Sequence, residues 1–298
     1  MYMQCFKANE TVSALVADTV LKHMEKGGTG EVLMVNSSGV YLSAGDQVWL
    51  LCDISWGMAP LGIAIDNFEK QIVGLCIEAG REFCYRKNEL IFSGRALNLQ
   101  PIEYSKSPYF HENPKTGLVD QAAKKIVDLR KVRGISMLAL SLILGNNSED
   151  VGALNPYCAR AYPLLSKLMQ ALVCESDVEI RECVDSLLGL GAGLTPSADD
   201  VILGMLYAFR KLESDAPKSL DTFRKCVLDM CDTHTNKVSA AYLKAVISGA
   251  YFERIEKVWL GLCGIEPLDT SCLIEIGGSS GSEMLLGVLI ALRVSQYK

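Results

Sequence analysis

No Cys-x-x-Cys pair occurs in the chain, no Gly-x-Gly-x-x-Gly follows any strand-like segment, and histidine appears three times in 298 residues. Each absence removes a class of protein. His23, His111 and His234 stand nowhere near one another at ligand spacing, which argues against a zinc site. Without the glycine fingerprint a dinucleotide fold has no support. The longest apolar stretches, 135–144 and 284–292, fall short of the ~20 residues that cross a bilayer. Eleven cysteines are present, but the closest pairs, Cys226/Cys231 and Cys76/Cys84, lie in stretches that read as continuous helix or strand. Buried, reduced thiols of a cytoplasmic protein are therefore expected. The opening MYMQCFKANE has no basic segment followed by an apolar one, so no secretory leader is expected.

Positive charge is also scarce: the net charge is −6, and no global field draws nucleic acid or acidic lipid. Hydrophobic residues reach 49%, with a mean hydropathy of +0.20. That calls for a large core or for apolar surface that meets another subunit.

The first third reads as strands. Residues 31–36, 39–43, 47–52 and 62–65 are short, rich in Val, Leu, Tyr and Trp, and separated by turn residues such as Ser37-Ser38-Gly39 and Ala44-Gly45-Asp46. Residues 12–24 carry the apolar spacing of an early helix. Residues 101–114 are polar and read as a connection. Beyond them apolar residues recur at a helical period over 118–131, 135–144, 157–173, 177–188, 200–212, 220–234, 237–248, 252–262 and 284–294. The expected class is α+β, a strand-rich region over 1–112 (a small barrel or sandwich) followed by a mostly helical region over 113–298. Trp49, Trp56 and Trp259 read as core or interface residues.

Chemistry concentrates at two helix starts. In LLGLGAGLTPSADDVILG, Gly189, Gly191 and Gly193 precede Thr195-Pro196-Ser197, then Asp199-Asp200, then an apolar helix. Thr195 with Pro196 after it, or Ser197 with Asp200 three residues on, makes a good helix cap. The free N–H groups of such an end cradle anions. In EIGGSSGSEMLLG, Ser280 falls on Ser197, Glu283 on Asp200 and Gly287 on Gly204. A glycine one turn into a helix costs about 1 kcal/mol against alanine. A close crossing at Gly204 and Gly287 would offset that and bring both N-termini to one pocket. Capping boxes account for either motif alone, but the repeat, with Asp199 as an extra carboxylate, favours a site. Ser197, Asp199 and Asp200 are the candidate catalytic residues. Gly191, Gly193, Thr195, Gly278, Ser279, Ser280 and Ser239 are the candidates for binding substrate or phosphate. Thr235 and Ser239, four apart on one helix face, either join the site or cap the helix near Asn236. His234 is an acid–base candidate or a helix-end residue.

Gly191-x-Gly193-Leu194-Thr195-Pro196-Ser197-x-Asp199-Asp200 resembles the motif of a family whose members include the AllH-type subunit of oxamate carbamoyltransferase. The likeness is strongest over 188–206 and weaker at 235–249 and 276–287. The chain departs from the family pattern at Ala192, at Ala198 and at Gly278, where the pattern has Pro, Gly and His. The resemblance implies turnover of oxalurate and phosphate to oxamate and carbamoyl phosphate in anaerobic allantoin and purine catabolism, in a complex with other carbamoyltransferase subunits. Tetrahedral carbamoyl transfer needs N–H donors, a phosphate cradle and a proton for the leaving nitrogen. No cofactor is fixed by the sequence; magnesium is the ion that Asp199 and Asp200 would take. The alternatives are a non-catalytic or small-carboxylate-binding subunit, or a magnesium-dependent hydrolase.

Overall fold

The computed structural model describes residues 11–36, 39–102, 113–128, 134–145, 155–212 and 215–296. The opening decapeptide, Ser37-Ser38, His111 and nearly all of the polar connection lie outside these residues. The chain divides into two compact units, Met1–Pro108 with Tyr251–Arg254, and Tyr109–Ala250 with Ile255–Lys298.

The first unit contains a closed eight-stranded barrel, which decides between the two architectures left open by the sequence. The strands are β1 Thr11–Val16, β2 Gly28–Asn36, β3 Gly39–Ala44, β4 Gln47–Asp53, β5 Gly62–Ile65, β6 Glu82–Arg86, β7 Glu89–Phe92 and β8 Arg95–Ile102. Their order around the barrel is β1-β5-β4-β3-β2-β6-β7-β8, and β8 closes onto β1 in parallel. Inward residues fill the interior, among them Val32, Leu42, Trp49, Ile63, Phe83 and Leu90. Eight strands leave just such a side-chain-filled interior.

The helix expected over 12–24 is corrected to a strand followed by a short helix, α1 Asp18–Met24. Val12, Ala14 and Val16 are buried and alternate with more exposed neighbours, a period of two rather than 3.6. A short helix, α2 Phe68–Leu75, lies within the barrel sequence. Trp49 is in the core, and Trp56 is half-buried beneath the Arg254 guanidinium, 5.1 Å from its ring.

The second unit is helical: α3 Thr116–Asp128, α4 Ala139–Leu142, α5 Pro156–Val173, α6 Asp177–Leu187, α7 Ser197–Leu212, α8 Leu220–His234, α9 Lys237–Ile247, α10 Glu253–Cys263, α11 Ser271–Ile274 and α12 Ser280–Gln296. The expected helix over 135–144 is a 3-10 turn, Ser136–Leu138, running into α4. Helices α7 and α12 occupy the middle. Every residue from Ser197 to Phe209 and from Gly281 to Leu292 is buried. A helix apolar all round must be covered all round.

The crossing of α7 and α12 explains both interior glycines. A Cβ at Gly204 would lie 2.0 Å from the Met284 carbonyl oxygen, and one at Gly287 would lie 2.0 Å from that of Val201. Each helix lays bare backbone against the other.

The ten described cysteines are free thiols. Burial pushes the Cys52 thiol up to about 12 and the Cys158 thiol to about 11. Contrary to the expectation of uniform burial, Cys76, Cys84 and Cys174 are exposed. No helix among the described residues is long and apolar enough to cross a membrane.

Candidate functional site

The crossing brings the starts of α7 and α12 together. Thr195 Oγ1 and Ser280 Oγ, 85 residues apart, are 3.0 Å from one another, and Thr195 Oγ1 also donates to Asp200 Oδ2 at 3.0 Å. The Ser280 hydroxyl also acts to lower the Asp200 carboxyl, against the larger effect of burial. Both hydroxyl residues are half-buried, while Ala192, Gly193, Gly277 and Gly278 on the flanking loops are exposed. Nothing lies within 4 Å of where a Gly278 Cβ would be. The hydroxyl pair therefore sits between two exposed glycine loops.

Neither expected capping box forms. Helix α7 starts at Ser197, and Asp199 and Asp200 donate their N–H groups to the Pro196 carbonyl. The Asp200 side chain turns to Thr195 instead of back to Ser197. At α12 the partner of Glu283 is Ser279, whose Oγ donates to Oε2 at 3.1 Å, rather than Ser280.

The open anion cradle expected at α7 is also corrected. The loop before the helix folds back, and the Ala198 N–H bonds the Leu190 carbonyl at 2.9 Å. Three of the first four N–H groups of α7 are thereby used. Gly191, at φ 134°, permits this: a Cβ there would lie 2.2 Å from the Ser197 nitrogen. Ser197 itself is buried, and its side chain makes no hydrogen bond to another described residue.

Asp199 belongs to a second network. Its Oδ1 accepts from the Gly189 N–H at 2.8 Å, and its Oδ2 accepts from Ser239 Oγ at 2.6 Å and from Thr235 Oγ1. Consecutive helical residues point ~100° apart, so two neighbouring aspartates serve two separate networks. Thr235 and Ser239 thus join Asp199 and not the Thr195–Ser280 pair. The helix near them is capped by Asn236, whose Oδ1 accepts from the Val238 and Ser239 N–H groups. His234 Nε2 lies 3.0 Å from Asp185, tying α8 to α6.

Glu283, also fully buried, accepts from the Ile135 N–H at 2.9 Å. Sequence reasoning placed Glu283 in the motif but not in the site, and nothing in the pattern pointed to Gly134–Ile135 as its partner. Burial raises the Asp199 carboxyl above its ordinary range against the pull of its three hydrogen bonds. Burial first, then the Glu283 charge, raises Asp200 well above that range.

Residues 187–292 match the model of the family described as oxamate carbamoyltransferase subunit AllH. The segment begins at the last residue of α6 and ends inside α12, so it holds both helix starts, Thr235 and Ser239; the barrel lies outside it. No solved structure matches the chain. A cavity of about 430 Å³ on the barrel, lined by Thr29, Glu31, Ser43 and Glu82 among others, coincides with none of the motifs.

A magnesium ion fits the aspartates poorly. Three N–H or O–H donors already aim at Asp199, hydroxyls aim at Asp200, and the two carboxyls face different networks. Among the described residues no group of three His, Cys, Asp or Glu is arranged to hold a metal ion.

Proposed function

We propose that this chain is the subunit of a cytoplasmic oxamate carbamoyltransferase that binds the carbamoyl end of oxalurate between the 191–194 and 277–279 loops and presents it to phosphate. The reaction, oxalurate and phosphate to oxamate and carbamoyl phosphate, would serve anaerobic allantoin and purine catabolism, within a complex of carbamoyltransferase subunits.

One observation carries the reading: within the AllH-matching segment, hydroxyls from two distant glycine-led helix starts meet at 3.0 Å beside exposed loop backbone. In this reading Ser280 offers its hydroxyl to the substrate, and Thr195, bonded to it at 3.0 Å, holds that hydroxyl in place. The exposed Gly193 and Gly278 loops let a planar carbamoyl group lie close to the main chain. Gly278 stands where the family pattern has histidine, so proton transfer here falls to hydroxyls and carboxyls. Ser197, Asp199 and Ser239, all buried, hold the helix start and do not touch substrate.

The complex assembled with its partner subunits and given oxalurate and phosphate should form carbamoyl phosphate. Ser280→Ala and Thr195→Val should each lower that rate by about 100-fold while assembly is unchanged. Wild-type turnover in both folded variants, or a complex that turns over without this chain, would overturn the reading. A non-catalytic role has one observation in its favour: Asp199, Asp200 and Glu283 are all engaged by internal donors. It predicts that the same variants leave turnover intact.

A further inference from the structure

The Asp200–Thr195–Ser280 chain has a property that neither capping nor packing requires. Its inner end is a carboxyl buried to 1% exposure, and its outer end is the hydroxyl of half-buried Ser280, beside the exposed Gly277–Gly278 loop. The links are continuous, 3.0 Å from Asp200 Oδ2 to Thr195 Oγ1 and 3.0 Å from Thr195 Oγ1 to Ser280 Oγ. A hydroxyl donates one hydrogen and accepts others, so the chain has two self-consistent polarities. With Asp200 ionised, Ser280 donates to Thr195 and Thr195 to Asp200, and an oxygen lone pair of Ser280 is left to accept from outside. With Asp200 protonated, Asp200 donates to Thr195 and Thr195 to Ser280, and the Ser280 hydrogen faces outward.

We propose that Asp200, Thr195 and Ser280 form a proton path joining a buried carboxyl to the exposed glycine loops, and that in carbamoyl transfer this path protonates the leaving nitrogen. The second half rests on the function proposed above; the first half does not. The ionisable groups acting on Asp200 are Glu283 on α12 and Asp199 on α7, both acids. Mutual repulsion and burial favour the protonated polarity, which holds a proton in reserve.

The step balances without any further reactant. An oxygen of hydrogen phosphate forms a bond to the carbamoyl carbon, and the carbon–nitrogen bond to the oxamate part breaks. That nitrogen takes the Ser280 hydrogen, Thr195 refills Ser280, and Asp200 refills Thr195. Asp200 then recovers the proton that hydrogen phosphate has lost, along the same chain in reverse. Net, one proton passes from phosphate to oxamate. Ser280 is the residue that would touch substrate, while Thr195 and Asp200 act through it.

Infrared spectroscopy of the full chain reads the path without turnover. A protonated-carboxyl stretch should persist above the ordinary aspartate range and weaken in Asp200→Asn, and its shift on transfer to heavy water should follow proton exchange at that carboxyl. Thr195→Val, equal in size but without the hydroxyl, should slow that exchange by at least about tenfold, toward the rate of local opening. Thr195→Ser should restore it. Ser280→Ala interrupts the path one link further out and serves as the second variant. A spectrum in which Asp200→Asn removes no protonated-carboxyl intensity, or exchange equally fast in Thr195→Val and Ser280→Ala, overturns the path. In the assembled enzyme, Thr195→Val should depress kcat with little change in KM, and Thr195→Ser should rescue it. Slowed exchange alongside no carbamoyl transfer by any wild-type assembly would leave the path standing and refute the function. Normal transfer by wild type with unslowed exchange in the variants would do the reverse.

Discussion

Asp199 and Asp200 are adjacent and equally buried, yet their partners differ in kind. Asp199 is a bracket: one carboxyl holds the Gly189 N–H, Thr235 and Ser239, joining the α6–α7 loop to the start of α9. Asparagine in its place would put two N–H donors where three donors already point. Asp199→Asn should therefore destabilise the helical unit by about 2 kcal/mol, against about 1 kcal/mol for Ser239→Ala, in urea unfolding. The two losses should fall well short of additive in the double variant, because they remove one shared interaction. Additive losses would mean that the bond between them contributes nothing. This division of labour is not legible in the pattern of residues: Asp-Asp reads as a pair, and only the ~100° step between helical neighbours separates the two side chains.

At the scale of elements, the informative residues were the two glycines that helical propensity disfavours. Gly204 and Gly287 each sit one turn or more inside a helix, and each lies where a Cβ would meet the other helix's carbonyl at 2.0 Å. Gly204→Ala and Gly287→Ala should each cost about 3 kcal/mol by overpacking, despite alanine's better helix propensity. A calorimetric rise in Tm for either would show that the crossing is looser than drawn. This crossing was readable because a costly residue was repeated in register at two sites. Helix α7, α8, α9 and α12 were legible for a similar reason, since long periodic segments announce themselves. The first strand was not: Val12, Ala14 and Val16 lead directly into α1, and an alternating run fused to a helix reads as one longer helix. Strands β6, β7 and β8 were missed because charged residues such as Glu82, Arg86, Glu89 and Arg95 occupy their outward positions and break the apolar signal. Barrel closure itself depends on β1 finding β8, a pairing about 87 residues apart that no local pattern encodes.

For the whole molecule, the two units carry opposite responses to pH. In the barrel unit Asp53 accepts from the Ser55 and Phe68 N–H groups, and the Ser55 hydrogen bonds hold its carboxyl below the ordinary range. Stability from Asp53 is present above the unfolded value of about 3.9 and is lost as pH falls through the folded value. In the helical unit Asp199 and Asp200 are shifted upward. Their contribution is complete below about 3.9, because both states are then protonated, and it is lost as pH rises through the folded values, because unfolding lets the carboxyls ionise. Asp269, on the same unit, is held down by Ser271 and works the other way, so a single variant must isolate the buried pair. The measurement is urea unfolding at several pH values, read unit by unit through a hydrogen-exchange pulse at fixed pH and mass spectrometry. As pH rises above the unfolded value of about 3.9 the helical unit should lose stability in the wild type. The loss should be shallower in Asp200→Asn, which has no proton to release. The barrel unit should show no such decline and should weaken only on acidification. An Asp200→Asn chain whose helical unit follows the wild-type pH profile would mean that Asp200 is ionised in the folded protein. That outcome would also remove the proton reserve on which the relay to Ser280 depends.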